Sequence, residues 1–219
     1  MTSTKVTNFY EHKPASGAKP KQMVMLLHGL GADGQDLIGL APSFAEILPD
    51  AVFISPDAPF PCDMAPYGRQ WFSLQEWTPE GISRGVQMAA PILKAFITQQ
   101  LEKHSIPASK LALVGFSQGT MMSLYAGPRY REKIAGVLGY SGALVGEEGL
   151  AAPAVHKIPV HLIHGMADSV VPVMAYYHAK DRMEKAGFTV TGYAAPGLMH
   201  GIDPQGIKSG GEFLKSVLT

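Results

Sequence analysis

Six short apolar runs constrain this chain more than any other feature. They cover residues 23–27, 51–55, 111–114, 134–140, 160–163 and, more weakly, 189–193. None alternates apolar with polar, so each reads as a strand covered on both faces, as in a parallel sheet. Helix-length segments lie between them. Residues 36–48 carry Leu37, Leu40, Ala41, Phe44 and Leu48 near i, i+3, i+4 spacing. Further helices are expected at 82–104, with a kink at Pro91, and at 118–126, 174–186 and 206–218. Gly187 follows as a C-terminal cap. Strand alternating with helix predicts an α/β fold with a mostly parallel twisted sheet and helices on both faces. No repeat or linker divides the 219 residues, so one domain over 1–219 is expected.

Composition removes several classes of function. Lys+Arg 18 against Asp+Glu 18 leaves no global basic field, so no nucleic acid partner is expected. Apolar residues at 46% exclude a disordered chain. The single cysteine, Cys62, allows neither an internal disulfide nor a thiolate zinc site. The N-terminal stretch has no apolar segment resembling a signal peptide, and no run is long enough for stable membrane insertion. The expectation is a cytoplasmic protein, with a homodimer left open.

The pattern G-x-S-x-G occurs twice. At 81–85 it follows a loop and reads as a helix entrance. At 115–119, Gly-Phe-Ser-Gln-Gly directly follows the run 111–114 and opens the helix 118–126. Strand, sharp turn, helix is the context of a nucleophile elbow. The serine there sits in a cramped backbone conformation. Side chains two residues either way would strike neighbouring chain, and glycine removes that collision.

A serine needs a base, and on such an elbow the acid and then the histidine follow it in sequence. Five histidines do so. His161 and His164 belong to a strand, His178 to a helix, and His156 to a loop without a turn glycine. His200 lies in the turn-rich segment 196–201, from which it can swing over the sheet edge, and is assigned as the base. Asp168 follows the run 160–163 and is assigned as the acid, ahead of the helical Asp181 and of Asp203, which reads as a helix cap.

Two oxyanion donors are also needed. The glycine-rich turn 28–34 follows the first strand, so the amides of Leu30 and Gln118 are the expected pair. A phosphate cradle would need a lysine or a glycine spacing that this turn lacks. His28 is expected to brace the turn. Residues 58–81 hold four prolines and both tryptophans and read as an irregular segment folded near the site. Trp71, Phe72 and Met121 are candidate pocket walls, with plain core packing as the competing reading.

With these pieces in place, the chain resembles the carboxylesterase/phospholipase branch of the α/β-hydrolases, which includes bacterial carboxylesterases and acyl-protein thioesterases. The matching segments are LLHGLGADG (26–34), GFSQG (115–119), YSGAL (140–144), HGMADSVVP (164–172) and PGLMHG (196–201). The resemblance implies the same roles for Ser117, Asp168, His200, Leu30 and Gln118. It departs in two places. Thr120, Met121 and Met122 follow the elbow where relatives often continue with glycine and a small residue. Residues 65–70 replace an Asn-Gly-Gly ahead of Trp71, in a loop that belongs to the substrate groove in relatives.

The expected function is a serine hydrolase of carboxylic esters, extending to thioesters, with small to medium acyl chains and an acyl-enzyme intermediate. The expected partner is a small-molecule acyl ester, with no metal and no organic cofactor. An amidase, lactonase or acyltransferase on the same residues is the competing enzyme reading. A non-catalytic binding module on the same fold is the competing reading outside enzymes.

Overall fold

A computed structural model describes residues 5–219. The elements run β1 (Phe9–His12), β2 (Gln22–Leu27), α1 (Gly34–Ile38), α2 (Ala41–Ala45), β3 (Ala51–Pro56), β4 (Phe60–Pro61), β5 (Arg69–Gln70) and α3 (Pro79–His104). Then follow β6 (Leu111–Phe116), α4 (Gln118–Ala126), β7 (Gly136–Tyr140), β8 (Val160–Gly165), α5 (Met174–Lys185), β9 (Val190–Ala195) and α6 (Pro204–Leu218). Seven strands form one sheet in the order β1-β3-β2-β6-β7-β8-β9. Every neighbouring pair is parallel except β1 with β3.

The missing alternation in the strand sequences has a direct cause. Along β2, Met23, Met25 and Leu27 enter one core while Val24 and Leu26 enter another. Residues of β6 divide the same way, with Leu111 and Leu113 on one face and Ala112 and Val114 on the other. The first face is covered by α3, α4 and α5, through residues such as Leu93, Met122 and Met183. The second is covered by α1, α2 and α6, through Leu37, Phe44 and Leu214. Both sides of the sheet are thus withdrawn from water, and a strand there has no use for a polar residue.

Three expectations need correction. The helix expected over 36–48 is two short helices. Pro42 in the first turn of α2 has no N–H to donate to the preceding turn, so the helix restarts there. Strand β1 was not expected. Phe-Tyr-Glu-His is only half buried at the sheet edge, so its apolar signal is weak. The irregular segment contains the hairpin pair β4–β5, and α3 already begins at Pro79. By contrast α3 runs unbroken through Pro91. Gly187, with φ +91°, follows the end of α5, and Asp203 caps α6 by accepting from the Gly206 N–H at 2.7 Å. The 81–85 copy of G-x-S-x-G is the entrance of α3, where the Thr78 hydroxyl accepts from the Gly81 N–H at 3.0 Å. Among the described residues, no helix is long and apolar enough to cross a membrane.

The double-sided burial predicts unequal costs along the chain. Leu113 is fully buried in the central strand β6, whereas Met88 on α3 is exposed. Leu113→Ala is expected to cost about 2–5 kcal/mol, lowering the melting temperature by roughly 4 °C or more. Met88→Ala should stay within about 0.5 kcal/mol. Thermal unfolding of the two variants side by side checks this, and equal shifts would contradict it.

Candidate active site

Strand β6 delivers Ser117 to the point where the sheet ends and α4 begins. Its backbone sits at φ 53°, ψ −116°, a conformation L-residues rarely adopt. The strain is held by three main-chain bonds. The Ser117 N–H donates to Tyr140 O at 2.9 Å, and Ser117 O accepts from the amides of Thr120 and Met121 at 3.0 and 3.2 Å. The flanking glycines are there for close approach. A methyl group on Gly115 would strike the backbone of Gly119 and Thr120, and one on Gly119 would strike the carbonyls of Leu27 and His28. Thr120, one of the departures noted above, fits because Gly139 and Gly142 leave room beside it. Its hydroxyl lies 2.8 Å from the carbonyl oxygens of Gly115 and Tyr140.

Asp168 follows β8 and is almost wholly buried. One carboxylate oxygen accepts from the amides of Val170 and Val171 at 2.9 and 2.8 Å. The other lies 2.7 Å from His200 Nδ1. Burial pushes this carboxyl's pKa up, but the bonds from His200, Val171 and Val170 together outweigh it and hold it below the ordinary carboxylate value. Asp168 is therefore an anion, and the proton of the shared bond sits on Nδ1. That leaves Nε2 of His200 as the basic nitrogen. The two loops are tied to each other, because the Ala167 N–H donates to Leu198 O at 2.9 Å. The His200 ring also packs on Phe116, with centroids 4.8 Å apart.

Ser117 and His200 line one cavity of about 360 Å³, together with Leu30, Gln118 and Met121. Among the described residues, the amides of Leu30 and Gln118 have no acceptor within the protein. His28 braces its turn as expected. Its Nδ1 lies 2.7 Å from Gly29 O, and its Nε2 accepts from the Ala58 N–H at 2.9 Å.

Two wall candidates are placed elsewhere. Trp71 and Phe72 are buried in the core, the indole N–H donating to His28 O at 2.9 Å and Phe72 packing against Gly85 of α3. Both are too apolar to stay in a loop at the surface while α3 offers them cover. Of the three, Met121 alone reaches the cavity. Met64, Leu74, Trp77, Phe116 and Val170 complete its apolar wall. Sequence reasoning did not single these out. The one available signal was the aromatic density of residues 58–81, and it could not tell which aromatics face inward. His161 and His164 are packed as expected. His164 Nε2 donates to Val171 O at 2.8 Å and lies 3.4 Å from Asp168.

Comparison with known proteins places this geometry in a family. Residues 13–218 match the profile of the family described as Phospholipase/Carboxylesterase. Esterase YpfH of Escherichia coli strain K12 is 30% identical over 84% of this chain and 78% of its own length. Acyl-protein thioesterase 1 of Debaryomyces hansenii is 28% identical over 93% of this chain and 95% of its own. The crystal structure of esterase PE8 superimposes with a TM-score of 0.89 and 36% identity, covering 95% of this chain and 98% of that one.

The buried histidines set a pH dependence of stability. Burial holds His28 below the ordinary histidine value of 6.5, against the opposing pull of Gly29 O and of nearby Asp57. Burial lowers His161 in the same way. Both are neutral in the fold, while the unfolded chain takes up their protons below about pH 6.5. Their contribution is complete above that pH and is lost as pH falls below it. The melting temperature is expected to drop between about pH 7 and about pH 5, with a shallower slope for His161→Gln. A flat wild-type profile over that interval would contradict the assignment.

Proposed function

The chain belongs to the phospholipase/carboxylesterase family of the α/β-hydrolases, and from that premise we propose that Ser117, His200 and Asp168 act as its catalytic triad, with the amides of Leu30 and Gln118 as its oxyanion hole. The family gives the class of enzyme, a carboxylesterase-type hydrolase. The observation that carries the residue assignment is the 2.7 Å bond from Asp168 to His200, at a cavity that the elbow serine also lines.

The chemistry follows from these groups. Ser117 Oγ attacks the acyl carbonyl as His200 Nε2 takes its proton. Asp168 holds the ring in the required tautomer and stabilises the imidazolium that forms. Negative charge moves onto the carbonyl oxygen, where two amides without other acceptors receive it. Each such donor lowers the barrier by on the order of 3 kcal/mol. Gln118 is the first residue of α4, so the helix N-terminus adds to that field. The tetrahedral species collapses, the C–O or C–S bond breaks, and His200 returns the proton to the leaving group. Water then repeats the steps on the acyl-enzyme and frees the acid.

The substrate reading comes from the cavity. Its walls are apolar, from Leu30, Leu74, Trp77, Met121 and Val170. A volume of about 360 Å³ suits small to medium uncharged acyl chains. The name of the fungal relative supports thioesters as well as oxygen esters as substrates.

A fluorophosphonate probe followed by peptide mapping tests the assignment. Label is expected on the peptide holding Ser117 and absent from Ser117→Ala. Undiminished labelling of that variant would reject the mechanism. Asp168→Asn should lower kcat by roughly two to four orders of magnitude. An acyl-length series of p-nitrophenyl esters, with matching thioesters, anilides and lactones, reads out the preference. Faster turnover of anilides or lactones than of esters would overturn the ester reading.

A further inference from the structure

The two proposed oxyanion donors come from separate segments. Leu30 lies in the turn after β2, and Gln118 opens α4. A tetrahedral oxygen is held well only if both amides meet it at hydrogen-bond distance, so the spacing between the segments must be fixed by something else.

A buried chain of hydrogen bonds runs between them. The side-chain oxygen of Gln118 accepts from the Trp71 N–H at 2.8 Å, and its side-chain nitrogen donates to Phe72 O at 2.8 Å. The Trp71 indole donates to His28 O at 2.9 Å. His28 in turn bonds Gly29 O and the Ala58 N–H. Gln118, Trp71 and His28 are 1%, 0% and 0% exposed. On the far side of Leu30, the Gly31 N–H donates to Arg69 O at 2.9 Å, and the Arg69 N–H donates to Ala32 O at 2.8 Å. The Arg69 guanidinium ties back to the carbonyls of Ala58 and Pro59 at 2.8 and 2.7 Å. Leu30 is thus gripped on both sides by residues 58–71, and the same stretch is gripped by the side chain of Gln118.

We infer that the Gln118 side chain, the Trp71 indole and the His28 ring form a strut that sets the separation of the Leu30 and Gln118 amides. They are positioning residues. The inference rests on the proposed oxyanion hole and adds the device that holds its two halves in register. The chemistry of the side chains supports it. A methionine or leucine would fill the same volume, but the primary amide carries an acceptor and a donor on one planar group, so it can accept from the Trp71 N–H and donate to Phe72 O together. The side chains of Gln118, Trp71 and His28 are buried and each of their polar atoms has a partner, so a shift at one end is transmitted and not absorbed by solvent.

Trp71→Phe keeps an aromatic ring and removes the indole donor. Gln118→Met keeps the length and removes both bonds, while the backbone amide of residue 118 remains. Three readouts separate positioning from general damage: kcat/KM for a p-nitrophenyl ester, affinity for a trifluoromethyl ketone carrying the same acyl chain, and affinity for a straight-chain alcohol. The ketone forms a tetrahedral oxyanion and the alcohol does not. In both variants kcat/KM and ketone affinity are expected to fall together by roughly tenfold or more. Alcohol affinity should stay within about twofold, with the protein folded by thermal denaturation. Wild-type kcat/KM in either folded variant would overturn the inference, as would an equal loss of alcohol affinity. If one variant fails to fold, the other carries the test. Labelling of Ser117 in the wild type is read separately, so loss of the strut is distinguishable from loss of the proposed mechanism.

Discussion

The close approach of backbone to backbone at the elbow governs the rest of the molecule. Gly119 packs so tightly on the end of β2 that no side chain can stand between them, and Ser117 is held at a positive φ that costs energy by itself. Such strain persists only where surrounding structure over-determines it. Here that structure is the central strand pair β2–β6, both faces of which are buried, together with the bond from Ser117 N–H to Tyr140 on β7. The fold can therefore be viewed as a clamp on one residue. Three parallel strands end at the same level, the helix α4 departs at once, and the hydroxyl is carried beyond the sheet with little freedom left.

A second theme is the treatment of charge. Asp168 is buried at a cost that favours the neutral acid, yet three donors reverse the balance. Two of those donors belong to its own loop and the third is His200. The carboxylate is thus stabilised as an anion before any substrate arrives. The histidine is oriented by the same bond, so one interaction supplies both the tautomer and the electrostatics. The loop carrying His200 is tied to the Asp168 loop through backbone bonds, so their alignment does not depend on a flexible side chain alone.

How much of this could be read from the sequence depends on how local the signal was. The interior strands were legible because two-sided burial writes an uninterrupted apolar run, as in residues 23–27 and 111–114. The elbow was legible because its two glycines, the strand before it and the helix after it all lie within the continuous stretch 111–126. Strand β1 was not, since an edge strand half open to water need not be apolar. The break between α1 and α2 was signalled by Pro42, but the apolar spacing across it is that of one continuous helix. Trp71 and Phe72 show the limit most clearly. Their apolarity calls for cover, but which element gives it is decided by Gln118 and by Gly85 on α3, and nothing adjacent to positions 71 and 72 encodes that choice. The strut was invisible for the same reason.

The cavity wall is divided between two kinds of chain. Ser117, Phe116 and Met121 stand on the central strand and helix, where any change of volume is felt by the core. Met64, Leu74 and Trp77 stand on the segment between β3 and α3, which contributes nothing to the seven-stranded ladder. Selection for a different acyl group can therefore rework the outer residues of that segment while the end that holds Ser117 stays untouched. Its inner residues, Arg69 to Phe72, are not free in this way, because they are bonded to the turn and to the elbow. Divergence among descendants of this scaffold should concentrate at the tips of that one excursion and spare its root.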